Sequence, residues 1–464
     1  MLNNIASKKI LIIIIAVVFV INAAITVFFA WILNQKTFYM GVKIENIALS
    51  GIDRAKAREK IQDEINKSFA GKKLTLKHGD REWNIDFNEI SYSFLLDSAI
   101  ESAYKIGREG NLINRLMTVY RLRRNNINVS LASQFDRSKL RNILEKIKNE
   151  IDQKEENATA IYKNGKVTFN KEVIGKNVDV DKNLDLIENI LLEKNFSPIE
   201  LIVDDVYPRV RYNDISVINK VISTFSTSFN PQKTERSYNI KLACDRIDNT
   251  VLLPGDTFSM DKALGPRSIS NGYKNAPVII QGKFLEGVGG GVCQVTTTLY
   301  VAVLKSKLEI VERRPHSIPL GYVEPGQDAT ISEGYIDFKF RNNKEYPVLI
   351  SAQVSGGNVT IRIVGMEQEA AHTVKLKSVV VKKLIPEKEV VIFDETIPEG
   401  EVVVEKKAVT GQKVVVYRET YDENNKLIER EKISEDTYQP VRGVIRVNPA
   451  KGNIYSIEDS SSES

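Results

Sequence analysis

The sequence predicts an α+β multidomain protein, with an N-terminal transmembrane helix, α+β repeat domains, an α+β central domain and a small all-β C-terminal domain. Three observations predict it. An apolar run opens the chain, strand-like stretches alternate with Asp-led amphipathic helices after it, and β-branched runs between charged turns come last. The size agrees, since 464 residues correspond to about three domains at roughly 150 residues each. A hydrophobic content of 42% and a charged content of 27% exclude wholesale disorder. Two cysteines exclude a disulfide scaffold, and three scattered histidines form no Cys/His zinc cluster. No metal and no cofactor are therefore expected. A net charge of +5, evenly spread, is too small for a nucleic-acid-binding chain.

Ile10 to Leu33 is apolar except for Asn22 and Thr26. As a helix it spans ~36 Å, enough to cross a hydrocarbon core of ~30 Å with some tilt. Lys8 and Lys9 precede it, which orients the leader to the cytoplasm, and Trp31 and Phe38–Tyr39 suit an outer interfacial belt. The run exceeds the ~7–15 residues of a cleaved signal core, and no small-residue cleavage site follows before Lys36. Residues 1–36 are thus expected to be a cytoplasmic leader and single anchor in the lipid bilayer. The bulk of the chain then lies outside the cell membrane.

Residues 37–210 read as two related α+β units. Asp53, Asp97, Asp136 and Asp181 each lead an amphipathic stretch and are expected to cap its helix. Apolar stripes follow at Ala57 and Ile61, at Ala99 and Ala103, and at Leu140 and Leu144. Lys73–His78, Ala160–Phe169 with its Lys163–Asn164–Gly165 turn, and Pro198–Val203 read as strands. Nothing there looks catalytic; a binding or spacer role is expected. His78 and His372 read as surface residues.

Residues 211–368 hold both cysteines. Gly289–Gly290–Gly291 supply backbone that approaches a substrate closely, and Cys293 follows at the start of a helix with Val295, Leu299, Ala302 and Val303 on one face. Free N–H groups and the macrodipole at a helix N-terminus stabilise a thiolate and suit a developing oxyanion. His316 lies within geometric return of that end. A helix of ~13 residues travels ~20 Å, which the following extended segment retraces at ~3.3 Å per residue. Pro315 and Pro319 stiffen its loop, and Arg313 and Arg314 suit a substrate carboxylate. Asp328 and Asp337 are the acids best placed to orient His316. The glycine run lacks the Lys–Ser/Thr of a nucleotide loop. Cys293 as a buried structural thiol, or bridged to Cys244, stands as the alternative; Cys244 itself sits on a core stripe with Ile240, Ala243 and Ile247.

Residues 373–448 are strand-rich at Val379–Val381, Val390–Ile392, Val402–Val404 and Val414–Val416, punctuated by Pro386, Pro398, Gly400 and Gly411. Residues 449–464, ending in Ile457–Ser464, are expected to be a disordered tail.

Five stretches are similar to the VanW domain family, in that family's order: Pro254–Ile279, Val288–Tyr300, Arg313–Ser317, Gly326–Ser332 and Tyr335–Asn343. The repeats resemble the peptidoglycan-binding domain that accompanies VanW domains, and the β-rich end resembles the five-glycine wall-associated domain, with Asn424–Asn425 in place of a usual Asp–Gly turn. The resemblance implies an extracytoplasmic peptidoglycan L,D-transpeptidase acting through a cysteine thioester. Carried over, Cys293 would be the nucleophile and His316 the base, with stem peptides as partners. Gly290, Gly291 and Gln294 would serve the oxyanion or substrate. A cysteine endopeptidase or carboxypeptidase, and a non-catalytic wall-binding scaffold, remain the competing functions.

Overall fold

The computed structural model describes residues 2–280, 283–367 and 372–448, so the expected tail lies outside the described residues. The chain divides into two compact units, Met1–Lys154 with Ile174–Val206, and Glu155–Val173 with Tyr207 onward.

The first unit begins with helix α1 (Leu2–Leu33), whose stretch Ser7–Leu33 is long and apolar enough to cross a membrane, with its side chains exposed as far as Trp31. Helix ends leave carbonyls unpaired. Here the Leu33 carbonyl accepts from Arg115 Nη2 at 3.0 Å and from the Tyr39 hydroxyl at 3.1 Å.

Beyond it the chain visits two apolar cores alternately. Val42–Ile44, Ile47–Ala48 and Ile127–Val129 pair into a sheet, packed by α2 (Arg54–Phe69), α3 (Leu96–Lys105) and α4 (Leu112–Leu122). Leu74–His78, Arg81–Ile85 and Ile199–Glu200 form the second sheet, packed by α5 (Arg137–Ile151) and α6 (Val180–Leu192). The units expected from the repeats are therefore interleaved.

Asp53 caps α2 by accepting from Lys56 N, and Asp136 caps α5 by accepting from Ser138 N and Lys139 N. The other two leaders do not cap. Asp179 caps α6, and α3 starts after Leu95 with no side-chain cap. Asp181 and Asp97 fall instead in the first turns, where a carboxylate still opposes the macrodipole. Pro198–Val203 is also not one strand; pairing divides it into Ile199–Glu200 and Val203–Val206.

The second unit includes the hairpin Thr159–Lys163/Lys166–Asn170, turned by Asn164 and Gly165 at φ 52 and 80°. Its location differs from the sequence reading. Ala158 and Ala160 bury against Ile215 of helix α7 (Tyr212–Ile215), Leu349 and Val364, so the hairpin packs with the later unit. The central sheet is antiparallel, in the order Lys220–Ser228, Asn358–Gly365, Val348–Ser355, Thr250–Leu252. Helix α8 (Thr234–Ile247) packs on it, the short α9 (Met260–Leu264) follows, and α10 (Val292–Lys305) runs through the core. Every residue of α10 from Gln294 to Leu304 is buried. Its threonines stay satisfied internally: Thr296 and Thr298 donate to the carbonyls of Val292 and Gln294, and Thr297 to that of Ala329. That is why a helix expected to have one apolar face tolerates burial all round.

Two further sheets lie toward the end. Thr373–Leu384, Gly411–Tyr421 and Leu427–Tyr438 form one, and Val390–Phe393, Val444–Val447 and Val402–Lys406 the other. The four predicted β-branched runs all fall within these strands.

Candidate functional site

The glycine run ends at the N-terminus of α10. Gly291 is its N-cap at φ 106°, a left-handed conformation costly for any residue with a Cβ. At Gly290 a Cβ would come within 2.5 Å of the Ala276 carbonyl oxygen and 2.6 Å of that of Pro277. The loop thus lies flush against the hairpin Asn275–Ile280/Lys283–Val288. Cys293 is the second residue of the helix, at the floor of a cleft of about 900 Å³. The backbone N–H groups of Gly290, Gly291 and Cys293 have no acceptor among the described residues, whereas that of Gln294 donates to the Gly291 carbonyl at 3.0 Å.

Tracing the chain onward, α10 leads into the strand Glu309–Glu312, and the loop after it returns His316 to the cleft, 7% exposed. The His316 backbone N–H and Nδ1 both meet Asp328 Oδ2, at 2.6 and 2.7 Å. Nδ1 is thereby occupied, which leaves Nε2 for the thiol. The Cys293 sulfur also lies 3.7 Å from Thr330 Oγ1 and 3.8 Å from the Ile331 carbonyl.

Electrostatics follow from these contacts. Burial pushes the Cys293 thiol up, but its hydrogen bond to His316 and the imidazolium charge more than offset this, and its pKa falls below the ordinary thiol value. Burial pulls His316 down, yet hydrogen bonds to Asp328 and Cys293 raise it to about 9. Burial would raise the Asp328 carboxyl; the His316 contacts hold it below the usual range. These contacts favour the thiolate–imidazolium form of the pair over the neutral one.

Asp328 is held in turn from the β-rich sheet, which no sequence signal indicated. The Tyr438 hydroxyl donates to Asp328 Oδ1 and accepts from the Gly326 N–H at 2.7 Å. Tyr438 is fully buried, and the side chains of the pair Arg313–Asp436 beside it, at 2.6 Å, are largely so. A Cβ on Gly326 would strike Val416 Cγ2, so this loop rests directly on the strand Gly411–Tyr421.

Four expected site residues do something else. Arg313 faces inward, giving Nε to the Asp328 carbonyl at 2.7 Å and its remaining groups to Asp436 and Gly326, so it is closed to substrate. Arg314 is not among the cleft-lining residues; its carbonyl accepts from Thr330 N. Asp337 accepts from Ser259 Oγ at 2.6 Å and from Asp261 N, at the start of α9, and does not reach His316. Gln294 is buried: its amide nitrogen donates to Thr227 and Ser228, and its oxygen accepts from Arg236 Nη2 at 2.8 Å. Its side chain positions an arginine and is closed to an oxyanion. The cationic groups on the cleft wall are Lys233, Arg236 and Arg267, which the sequence reading passed over because they are far from Cys293 in the chain. Both cysteines are free thiols, which removes the disulfide alternative. Among the described residues no His/Cys/Asp/Glu group is arranged to hold a metal. His78 lies elsewhere, in the first unit, 3.5 Å from Lys176 Nζ.

Residues 235–364 match the family model for VanW like protein, residues 83–200 that of a peptidoglycan binding domain, and residues 377–450 that of the G5 domain. The uncharacterized protein YoaR of Bacillus subtilis (strain 168) is 42% identical over 168 residues, 36% of this chain and 55% of that protein. The vancomycin B-type resistance protein VanW of Enterococcus faecalis (strain ATCC 700802 / V583) is 34% identical over 114 residues, 23% of this chain and 41% of that protein. The chain thus spans about half the length of the curated relatives it matches. Among solved structures, the IgA1 protease G5 domain is 20% identical with a TM-score of 0.13, over 18% of this chain and 98% of that one. The HP0197 G5 domain is 23% identical with a TM-score of 0.11, over 17% and 99%. The chain carries a VanW-like domain together with peptidoglycan-binding and G5 domains, the composition of a cell-wall-associated protein.

Proposed function

We propose that the chain is an extracytoplasmic L,D-transpeptidase that cross-links peptidoglycan stem peptides, held at the membrane by α1. The observation that carries this reading is the Cys293–His316–Asp328 array at a helix N-terminus beside unpaired backbone N–H groups. The Cys293 thiolate attacks the carbonyl carbon after the L-centre of a diamino acid. The Gly290, Gly291 and Cys293 N–H groups receive the oxyanion. As the C–N bond breaks, the imidazolium of His316 gives its Nε2 proton to the departing D-amino acid, and a thioester remains. His316, now neutral, takes a proton from the side-chain amine of a second stem as that amine attacks. The thiolate leaves, an amide joins the two stems, and the imidazolium is restored. Thioester energy conserves the broken amide bond, so the exchange needs no nucleotide. The 83–200 domain would hold the glycan-peptide polymer nearby.

Incubation with purified disaccharide-tetrapeptide, followed by mass spectrometry, tests the reading. A dimer lacking one terminal D-Ala is expected, and absent with Cys293→Ala. Loss of D-Ala without dimers would replace transpeptidation by hydrolysis, and no turnover by folded protein would leave a wall-binding scaffold.

A further inference from the structure

Helix α4 has two apolar faces, and only one is used by the core. Leu122 is buried and Leu116 and Val119 are partly buried, whereas Ile113, Met117 and Tyr120 are 67, 48 and 59% exposed. The exposed three follow one another at helical spacing, so they form a single outward stripe. Arg124 continues the stripe, its guanidinium 5.4 Å from the Tyr120 ring. Arg121 and Arg123 flank it, exposed. None of these three arginines has a carboxylate within ion-pair distance among the described residues, and from Gly110 to Phe135 the chain contains no acidic residue at all. An exposed apolar stripe next to unpaired cations is costly in water and suited to an anionic interface.

The position of α4 selects the partner. Arg115, on the same helix, donates to the carbonyl of Leu33, the last residue of α1. Phe28, Phe29 and Ile32 of α1 line one depression with Met117 and Tyr120 of α4. A helix tied to the end of a membrane span stands at the level of the lipid headgroups, within about one helix diameter of the exit point.

We infer that α4 is an interfacial membrane helix. Ile113, Met117 and Tyr120 enter the headgroup–acyl boundary, and Arg121, Arg123 and Arg124 bind the phosphates of anionic lipids. Two contacts, α1 through the bilayer and α4 along it, then fix the rotation of the first unit on the membrane, which a single span leaves free. The inference rests on the proposed reading of α1 as an anchor.

The test uses the full chain in vesicles of phosphatidylcholine and phosphatidylglycerol with acyl chains brominated near the headgroup. The chain has two tryptophans, Trp31 and Trp83. Trp83→Phe leaves Trp31 as the reporter of α1; Trp31→Phe with Trp83→Phe and Ile113→Trp moves the reporter to α4, at an exposed position. Blue-shifted emission from position 113, quenched by about half or more, is expected. Removing phosphatidylglycerol, or converting Arg121, Arg123 and Arg124 to Gln, should weaken that quenching severalfold. Trp31 quenched with position 113 in water would overturn the inference and leave the anchor intact. Neither quenched would overturn both. Quenching at position 113 that ignores both lipid charge and the arginines would overturn the assignment of the arginines to lipid phosphate.

Discussion

The two cysteines sit on neighbouring helices of one domain, and both sulfurs are largely removed from water, yet their acidities diverge. Cys244 lies inside α8, 1% exposed, and burial, with Asp245 and Asp248 adding to it, pushes its thiol up to about 12. Cys293 lies at the first turn of α10 and meets His316, which brings its thiol below the ordinary value. Burial alone therefore does not decide whether a thiol is inert. What faces the sulfur does, and here the decisive group is an imidazolium held by a carboxylate.

Four substitutions would break or sharpen that contrast. Cys293→Ala should abolish cross-linking, by at least ~10³-fold, and with it all rapid iodoacetamide labelling at neutral pH. If labelling persists, Cys244 is the reactive thiol and the contrast is inverted. Asp328→Asn should cost ~10²-fold or more, because it removes the charge that raises His316. The alkaline limb of the pH profile should respond. In the wild type, the active thiolate–imidazolium pair is lost in acid as Cys293 is protonated, and in alkali as His316 deprotonates near pH 9. Once Asp328→Asn has removed the carboxylate charge, the His316 pKa falls, so the active window narrows from the alkaline side. An unchanged profile would remove Asp328 from the mechanism.

Tyr438→Phe is the finer test. It leaves Asp328 Oδ1 short of a donor and the Gly326 N–H without its acceptor, a stability cost of about 1–3 kcal/mol. Activity should fall ~10-fold as His316 loses its orientation. The Asp328 carboxylate, relieved of one donor, is a stronger acceptor for His316, so the alkaline limb should move upward, opposite to Asp328→Asn. A stability loss with no movement of the limb would make Tyr438 merely structural. The smallest effect belongs to Cys244→Ala: turnover unchanged, and stability down by about 1 kcal/mol in a denaturant titration. A larger loss of turnover than of stability would mean that the inert thiol is not a bystander.

Local signals carried much of this structure. The glycine run, Cys293 and the helix after it are contiguous, so helical periodicity and helix-end chemistry locate them. His316 was within reach because the helix and returning strand have known rises. Asp328 was one of two candidates, and only the tertiary fold separates it from Asp337, which is occupied by Ser259 and Asp261 N. Arg313 was misread for the same reason, since its partner Asp436 is 123 residues away. The hairpin Thr159–Asn170 was legible as a hairpin but not in its destination, because the apolar face that covers Ala160 comes from distant strands. Periodicity reports which side of an element is buried, and it is silent on which element buries it.

The hydroxyl that holds Asp328 belongs to a residue 110 positions later in the chain. A polypeptide emerges from the ribosome N-terminus first, so Cys293, His316 and Asp328 all exist before Tyr438 does. Until the strand Leu427–Tyr438 has been made and has docked, Asp328 Oδ1 lacks the Tyr438 hydroxyl and Arg313 lacks Asp436, its closest anionic partner. The carboxylate that orients His316 is then held less firmly. The geometry around Cys293 and His316 is thus completed late in the chain's own biosynthesis, only once a strand made after all three side chains has docked.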